Sequence, residues 1–141
     1  AGIAPRNRGR VQRAWEGWPA TGRGRSDWQV ATGAPLLPLG DCLPIVFDVE
    51  RDWLNARIAQ RFDIMLAQGA LEEVAALRPR YDPSRPAHRA IGVPELIRYI
   101  DGDWPLHRAR EAAVVATRQF AKRQRTWMRS KMADWQRVTP K

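Results

Sequence analysis

The sequence predicts an α/β chain that is mainly α-helical, with one or two short core strands, and three observations predict it. From Asp52 onward apolar residues recur at helical spacing. Only two runs, Ile45 to Phe47 and Trp135 to Val138, read as strand. Gly and Pro cluster between the periodic segments rather than inside them. With 141 residues and 44% apolar content the chain has the size and composition of one ordinary domain with a core.

The first 30 residues place Trp15, Trp18 and Trp28 among Gly17, Pro19, Gly22 and Gly24, which reads as a short helix near Arg8 to Glu16 and then a loop. Gly33, Pro35, Pro38, Gly40 and Pro44 make residues 31 to 44 a connector, and the apolar Ile45 to Phe47 behind it reads as a buried strand. Leu54, Ile58, Phe62 and Met65 then share one helix face. Gly69 stops that helix, a second one carries Leu71, Val74 and Leu77, and Pro79, Pro83 and Pro86 end it. A short helix is expected from Pro94 to Ile100. A long final helix follows, capped by Asp103 with Pro105 in its first turn and running to about Met132.

The net charge of +9 calls for an anionic partner, because such an excess adds self-repulsion without helping the fold. It is concentrated at the two ends. Residues 1 to 25 hold six arginines against Glu16, and residues 112 to 141 hold eight basic groups against Asp134, around a mildly acidic middle. One cysteine, Cys42, excludes an internal disulfide and fits a reducing cytoplasm, and two histidines are too few for a Cys/His zinc set. The most apolar stretch is broken by Pro38, Gly40, Asp41 and Pro44, so no membrane span and no secretory leader is expected.

On the final helix Arg118, Lys122, Arg125 and Arg129 fall within an arc of roughly 60°. Ala109, Ala113, Ala116, Phe120 and Trp127 lie opposite, as a packing face. A solvated face usually mixes signs, yet no acid occurs from Ala112 to Ala133, so the ridge reads as a nucleic-acid backbone contact. Arg61 projects beside Leu54, at the edge of an apolar face. A guanidinium buried there needs an anion, either a carboxylate from a missing half of the protein or a ligand phosphate.

Thr117-Arg118-Gln119-Phe120-Ala121-Lys122-Arg123-Gln124-Arg125-Thr126-Trp127-Met128-Arg129 resembles the TRQxAKRQxTWxR signature of tRNA dimethylallyltransferases, also called isopentenyltransferases. Three further blocks match in order: Arg10 to Glu16 with Thr21-Gly22, Leu54 to Val74, and Ala90-Ile91-Gly92-Val93-Pro94-Glu95-Leu96, which is similar to AIGYxEL. The resemblance implies a P-loop-type transferase of dimethylallyl diphosphate. It would alkylate N6 of the adenosine beside the anticodon, position 37, in tRNAs reading codons that begin with U, working with magnesium as a cytoplasmic monomer. It further implies that Arg10, Arg13, Ile91, Gly92, Arg118, Lys122, Arg123, Gln124, Arg125, Thr126, Trp127 and Arg129 hold the anticodon stem-loop, and that Arg61 faces the donor's diphosphate. Residues 1–30 would be the end of an inserted helical tRNA-binding arm, 31–44 a connector, and 45–141 the carboxy-terminal part of the core.

No Gly-Lys dipeptide occurs, so a GxxxxGK[ST] phosphate loop is absent. The chain is therefore expected to be the carboxy-terminal half of such an enzyme, inactive by itself, with any magnesium site in the other half and no metal ligand here. Gly9, Trp15, Gly17, Val93 and Pro94 depart from the family pattern. The rival readings are a non-enzymatic basic helical RNA-binding module, which leaves Arg61 and the signature unexplained, and an assembly domain that docks an acidic protein.

Overall fold

The computed structural model describes residues 8–31 and 33–139. They divide into two compact units, Ala1–Leu43 and Pro44–Lys141. The first carries α1 (Arg8–Thr21) and α2 (Arg25–Val30). Helix α1 runs five residues beyond the expected end, through Pro19, and stops at Gly22, whose φ of 65° lets its N–H reach the Trp18 carbonyl at 2.8 Å. Helix α2 replaces the expected loop: the Asp27 carboxylate accepts the Gly24 N–H at 2.9 Å, a cap invisible to apolar periodicity.

The second unit contains β1 (Ile45–Phe47), α3 (Arg51–Ala67), α4 (Ala70–Leu77), α5 (Val93–Ile100), α6 (Leu106–Lys131) and β2 (Gln136–Val138). The Glu50 carboxylate caps α3 by accepting the Asp52 and Trp53 N–H groups, which holds its pKa below the usual carboxylate range. Gly69, at φ 100°, turns the chain from α3 into α4 as the sequence suggests. Helix α6 starts after Pro105 and has no Asp103 cap. The backbone N–H groups of Asp103 and Trp104 instead donate to the Arg98 carbonyl, which closes a turn and delays the helix by two residues.

The core is Phe62, Val74, Leu96, Ile97, Ala109, Ala113 and Val114, with α3 and α5 packed on the first half of α6 and α4 packed against α3 and α5. Strands β1 and β2 pair in parallel, with Ile45 opposite Gln136 and Phe47 opposite Val138. The intervening helices supply the crossover that parallel pairing needs. Of β1, Val46 is buried, whereas Ile45 and Phe47 are exposed. The strand is thus less covered than its composition suggests, because a two-stranded ribbon shields one residue of three.

Candidate nucleic-acid interface

Helix α6 is the element on which the basic residues converge. Its small residues Ala109 and Ala113 have no exposed surface, which lets α3 and α5 approach closely. Across this contact Arg110 donates from Nε and Nη2 to both carboxylate oxygens of Asp63, at 2.5 and 2.6 Å. The guanidinium holds the Asp63 carboxyl below its usual range. This clamp joins the C-terminal half of α3 to the start of α6, so the two helices run antiparallel and the start of α3 lies beside the later turns of α6.

A groove of about 450 Å³ results between them. Leu54, Val115 and Ala121 line it, and so do Arg51, Arg118, Lys122, Arg125 and Arg129. All four residues of the expected ridge therefore face one depression. Sequence periodicity missed that Arg51, Leu54 and Asn55 form its other wall, since tertiary contacts, the core packing of Phe62 and the Asp63 to Arg110 clamp, set that register. Arg51 pairs loosely with Asp52, at 3.6 Å with both side chains exposed. Arg118, Lys122, Arg125 and Arg129 take part in no ion pair among the described residues.

A second hollow is lined by Gln119, Lys122, Arg123, Thr126, Trp127 and Ser130. Gln119 and Lys122 belong to both hollows, so the two are contiguous across α6. Trp127 and Phe120 are 55% and 46% exposed, which corrects the expected packing face. Helix α5 has eight residues, about 12 Å of axis, and covers only the first turns of that side of α6. Beyond it a polar-edged aromatic surface is left open. Arg123 lies over the Phe120 ring, its Cζ 5.7 Å from the centroid.

Arg61 is exposed and has no ion pair among the described residues, so the burial argument for an obligatory anion does not hold. It lines neither hollow. Gly92 is buried at φ 103°, and a Cβ there would stand 3.1 Å from the Phe62 ring, which explains why glycine occupies the site. Ile91 is 39% exposed and lines, with Gly92, Phe62, Met65, Glu73 and Arg80, a cavity of about 320 Å³. Arg13 is exposed on α1 in the first unit, whereas the Arg10 side chain lies outside the described residues. The one-letter order of the signature thus translates into two faces of a single helix, with Gln124 and Thr126 exposed between the cations.

The family model for IPP transferase matches residues 1–131. The chain belongs to the IPP transferase family. A tRNA dimethylallyltransferase of Roseobacter denitrificans is 62% identical over 95% of the chain and 48% of its own length. One from a Ruegeria species is 56% identical over 99% of the chain and 49% of its own length. A solved tRNA delta(2)-isopentenylpyrophosphate transferase of Staphylococcus epidermidis superposes with a TM-score of 0.64 at 33% identity, over 97% of this chain and 44% of that one. The full-length tRNA isopentenylpyrophosphate transferase of Bacillus halodurans gives 0.65 at 32% identity, over 97% and 40%. The chain spans about half the length of the curated relatives it matches.

For a member of this family, the described residues divide the labour clearly. No three of His, Cys, Asp and Glu come together as metal ligands among them. Among the described residues no helix is long and apolar enough to cross a membrane. What the chain offers is cationic and aromatic surface, the chemistry of phosphate and base contact.

Proposed function

We propose that this chain is the tRNA-holding part of a tRNA dimethylallyltransferase, which moves a dimethylallyl group from dimethylallyl diphosphate to N6 of the adenosine beside the anticodon, position 37, in tRNAs reading codons that begin with U. In that reaction a bond forms between N6 and the first carbon of the dimethylallyl group, that carbon's bond to the diphosphate oxygen breaks, and N6 loses a proton. One observation carries the reading. The TRQxAKRQxTWxR segment presents Arg118, Lys122, Arg125 and Arg129 along one groove with no ion pair among the described residues, and Arg123, Thr126 and Trp127 open on the adjoining surface.

Phosphates suit the first set, because guanidinium and ammonium groups release condensed counterions when they neutralise a backbone. Bases suit the second, since an exposed indole stacks on any unpaired base of a loop. Gln124 joins these contacts, and Ile91 and Gly92, and separately Arg10 and Arg13 of the first unit, are assigned further RNA contacts. The exposed Arg61, with no ion pair among the described residues, is assigned to the departing diphosphate. Residues 1–30 are read as the end of an inserted helical arm, 31–44 as a connector and 45–141 as the carboxy-terminal part of the core. The reading includes magnesium as the family's ion, a monomeric full-length enzyme and a cytoplasmic site of action. Magnesium would screen the donor's diphosphate charge.

Competition between an anticodon stem-loop with an adenosine 3′ to the anticodon and a hairpin of equal length with an unrelated loop tests the proposal. Fluorescence anisotropy on the 141-residue chain should favour the anticodon hairpin at least several-fold. Equal affinity for both hairpins would instead support a general basic RNA-binding module.

A further inference from the structure

His88 is the buried polar side chain among the described residues, 9% exposed, and the proposed function makes no use of it. It sits in the one-turn helix Ala87–Arg89, with its ring stacked on Tyr81 at 5.8 Å between centroids. Its Nδ1 is 2.9 Å from the Asp82 amide nitrogen and 3.1 Å from the Asp82 carbonyl oxygen. An amide always carries its hydrogen, and one aimed at Nδ1 requires a lone pair there. A hydrogen on Nδ1 would meet it head-on.

We infer that His88 is a positioning residue which, as the neutral Nε2–H tautomer, accepts the Asp82 N–H through Nδ1 and thereby fixes where Ile91 and Gly92 stand. The inference rests on the proposal that Ile91 and Gly92 touch RNA. The mechanical link is continuous. His88 N–H donates to the Arg85 carbonyl at 3.2 Å, Arg89 to Pro86 at 3.1 Å, Ala90 to Ala87 at 3.2 Å, and Val93 to Ala90 at 3.0 Å. At the far end Gly92 is pinned by its N–H to Glu95 Oε2 at 2.9 Å and by the Phe62 ring beneath it. Ile91 thus lies between two anchors, and loosening His88 would be felt there.

Several charged groups of this segment and of α5 are engaged with partners other than the imidazole. Asp82 accepts the Ser84 N–H through Oδ1 at 2.8 Å and faces Arg85 at 3.5 Å through Oδ2. On α5, Glu95 holds Gly92 and Arg98 lies over Trp104, and on the preceding turn Arg78 is paired with Asp101. Among the described residues His88 Nδ1 is the acceptor that meets the Asp82 amide.

The test uses the full 141-residue chain with 15N-labelled histidine. The spectrum of His88, distinguished from His107 by substitution, should show an unprotonated Nδ1 and a protonated Nε2 at neutral to mildly alkaline pH. In His88→Leu, which keeps volume but has no acceptor, Asp82 amide exchange should quicken by about three- to tenfold, the loss of one hydrogen bond. Stem-loop affinity should fall by a similar factor. His88→Asn, whose Oδ1 takes the place of Nδ1, should restore both. A protonated Nδ1 overturns the inference, as does a His88→Leu chain that binds the stem-loop as well as the parent. A parent that does not bind the stem-loop removes the proposed RNA contacts and this inference together, an outcome distinct from failure at His88 alone.

Discussion

Replacing Lys122, Arg125 and Arg129 together by glutamine should change how RNA affinity responds to salt rather than merely lower it. The three belong to a groove wall that, from Arg118 to Arg129, covers about 16 Å of helix axis. Stacked nucleotides rise about 3.4 Å each, so at least three successive phosphates lie within reach of it. Each neutralised phosphate contributes roughly 0.7 to 0.9 to the slope of log affinity against log salt. Losing three should make the slope shallower by about two to three units. Between 50 and 200 mM salt, the parent should then lose about 15- to 40-fold more affinity than the variant. Glutamine keeps helix propensity, and the side chains are not part of the apolar core, so folding should survive. The assay is a salt titration of anticodon stem-loop binding. Arg98→Gln with Arg108→Gln serves as a charge control, since Arg108 stands about 21 Å along α6 from Lys122. A parental slope in the triple variant, or an equal change in the control, would refute the claim that this groove engages phosphates.

Three more outcomes are expected. Trp127→Ala should leave the melting temperature within a degree or two, because the indole is 55% exposed, while stem-loop affinity falls by roughly 1 to 3 kcal/mol at an unchanged salt slope, as for loss of one stacked base; a large loss of stability with intact binding would return Trp127 to the core. In the full-length enzyme, Arg61→Ala should impair use of dimethylallyl diphosphate in steady-state kinetics with little effect on tRNA binding, and a normal rate with the donor would remove Arg61 from the site. The Asp63 carboxyl, lowered by the Arg110 guanidinium, contributes stability above the unfolded carboxyl pKa of about 3.9 and loses it as pH falls through the folded value. Melting curves of the parent and Asp63→Asn should therefore differ at neutral pH and converge in strong acid, and parallel curves would show that the pair contributes nothing.

What the sequence disclosed was local in origin. Gly69, read as a helix stop, has φ 100°, and the spacing of Leu71, Val74 and Leu77 sufficed to place α4. Helix α2 was illegible because its start depends on one reciprocal bond between Gly24 and Asp27, not on periodicity. The parallel pairing of β1 with β2 was equally hidden, since its residues lie some ninety positions apart and no turn joins them.

The same distinction explains why the signature helix was half understood. A helical wheel assigns directions around an axis, and on that basis it correctly grouped Arg118, Lys122, Arg125 and Arg129, which do share one groove. It says nothing about how far neighbouring helices reach along the axis. Ala109 and Trp127 share a direction, yet one is fully buried and the other open, because eight-residue α5 covers only the first turns. An apolar residue on a helix that outruns its partners is therefore a candidate contact rather than a core residue. On α6 that surface adjoins the cationic groove through Gln119 and Lys122. A ligand carrying both phosphates and unpaired bases fits this pair of surfaces better than a plain polyanion, which would have no use for an open indole beside it.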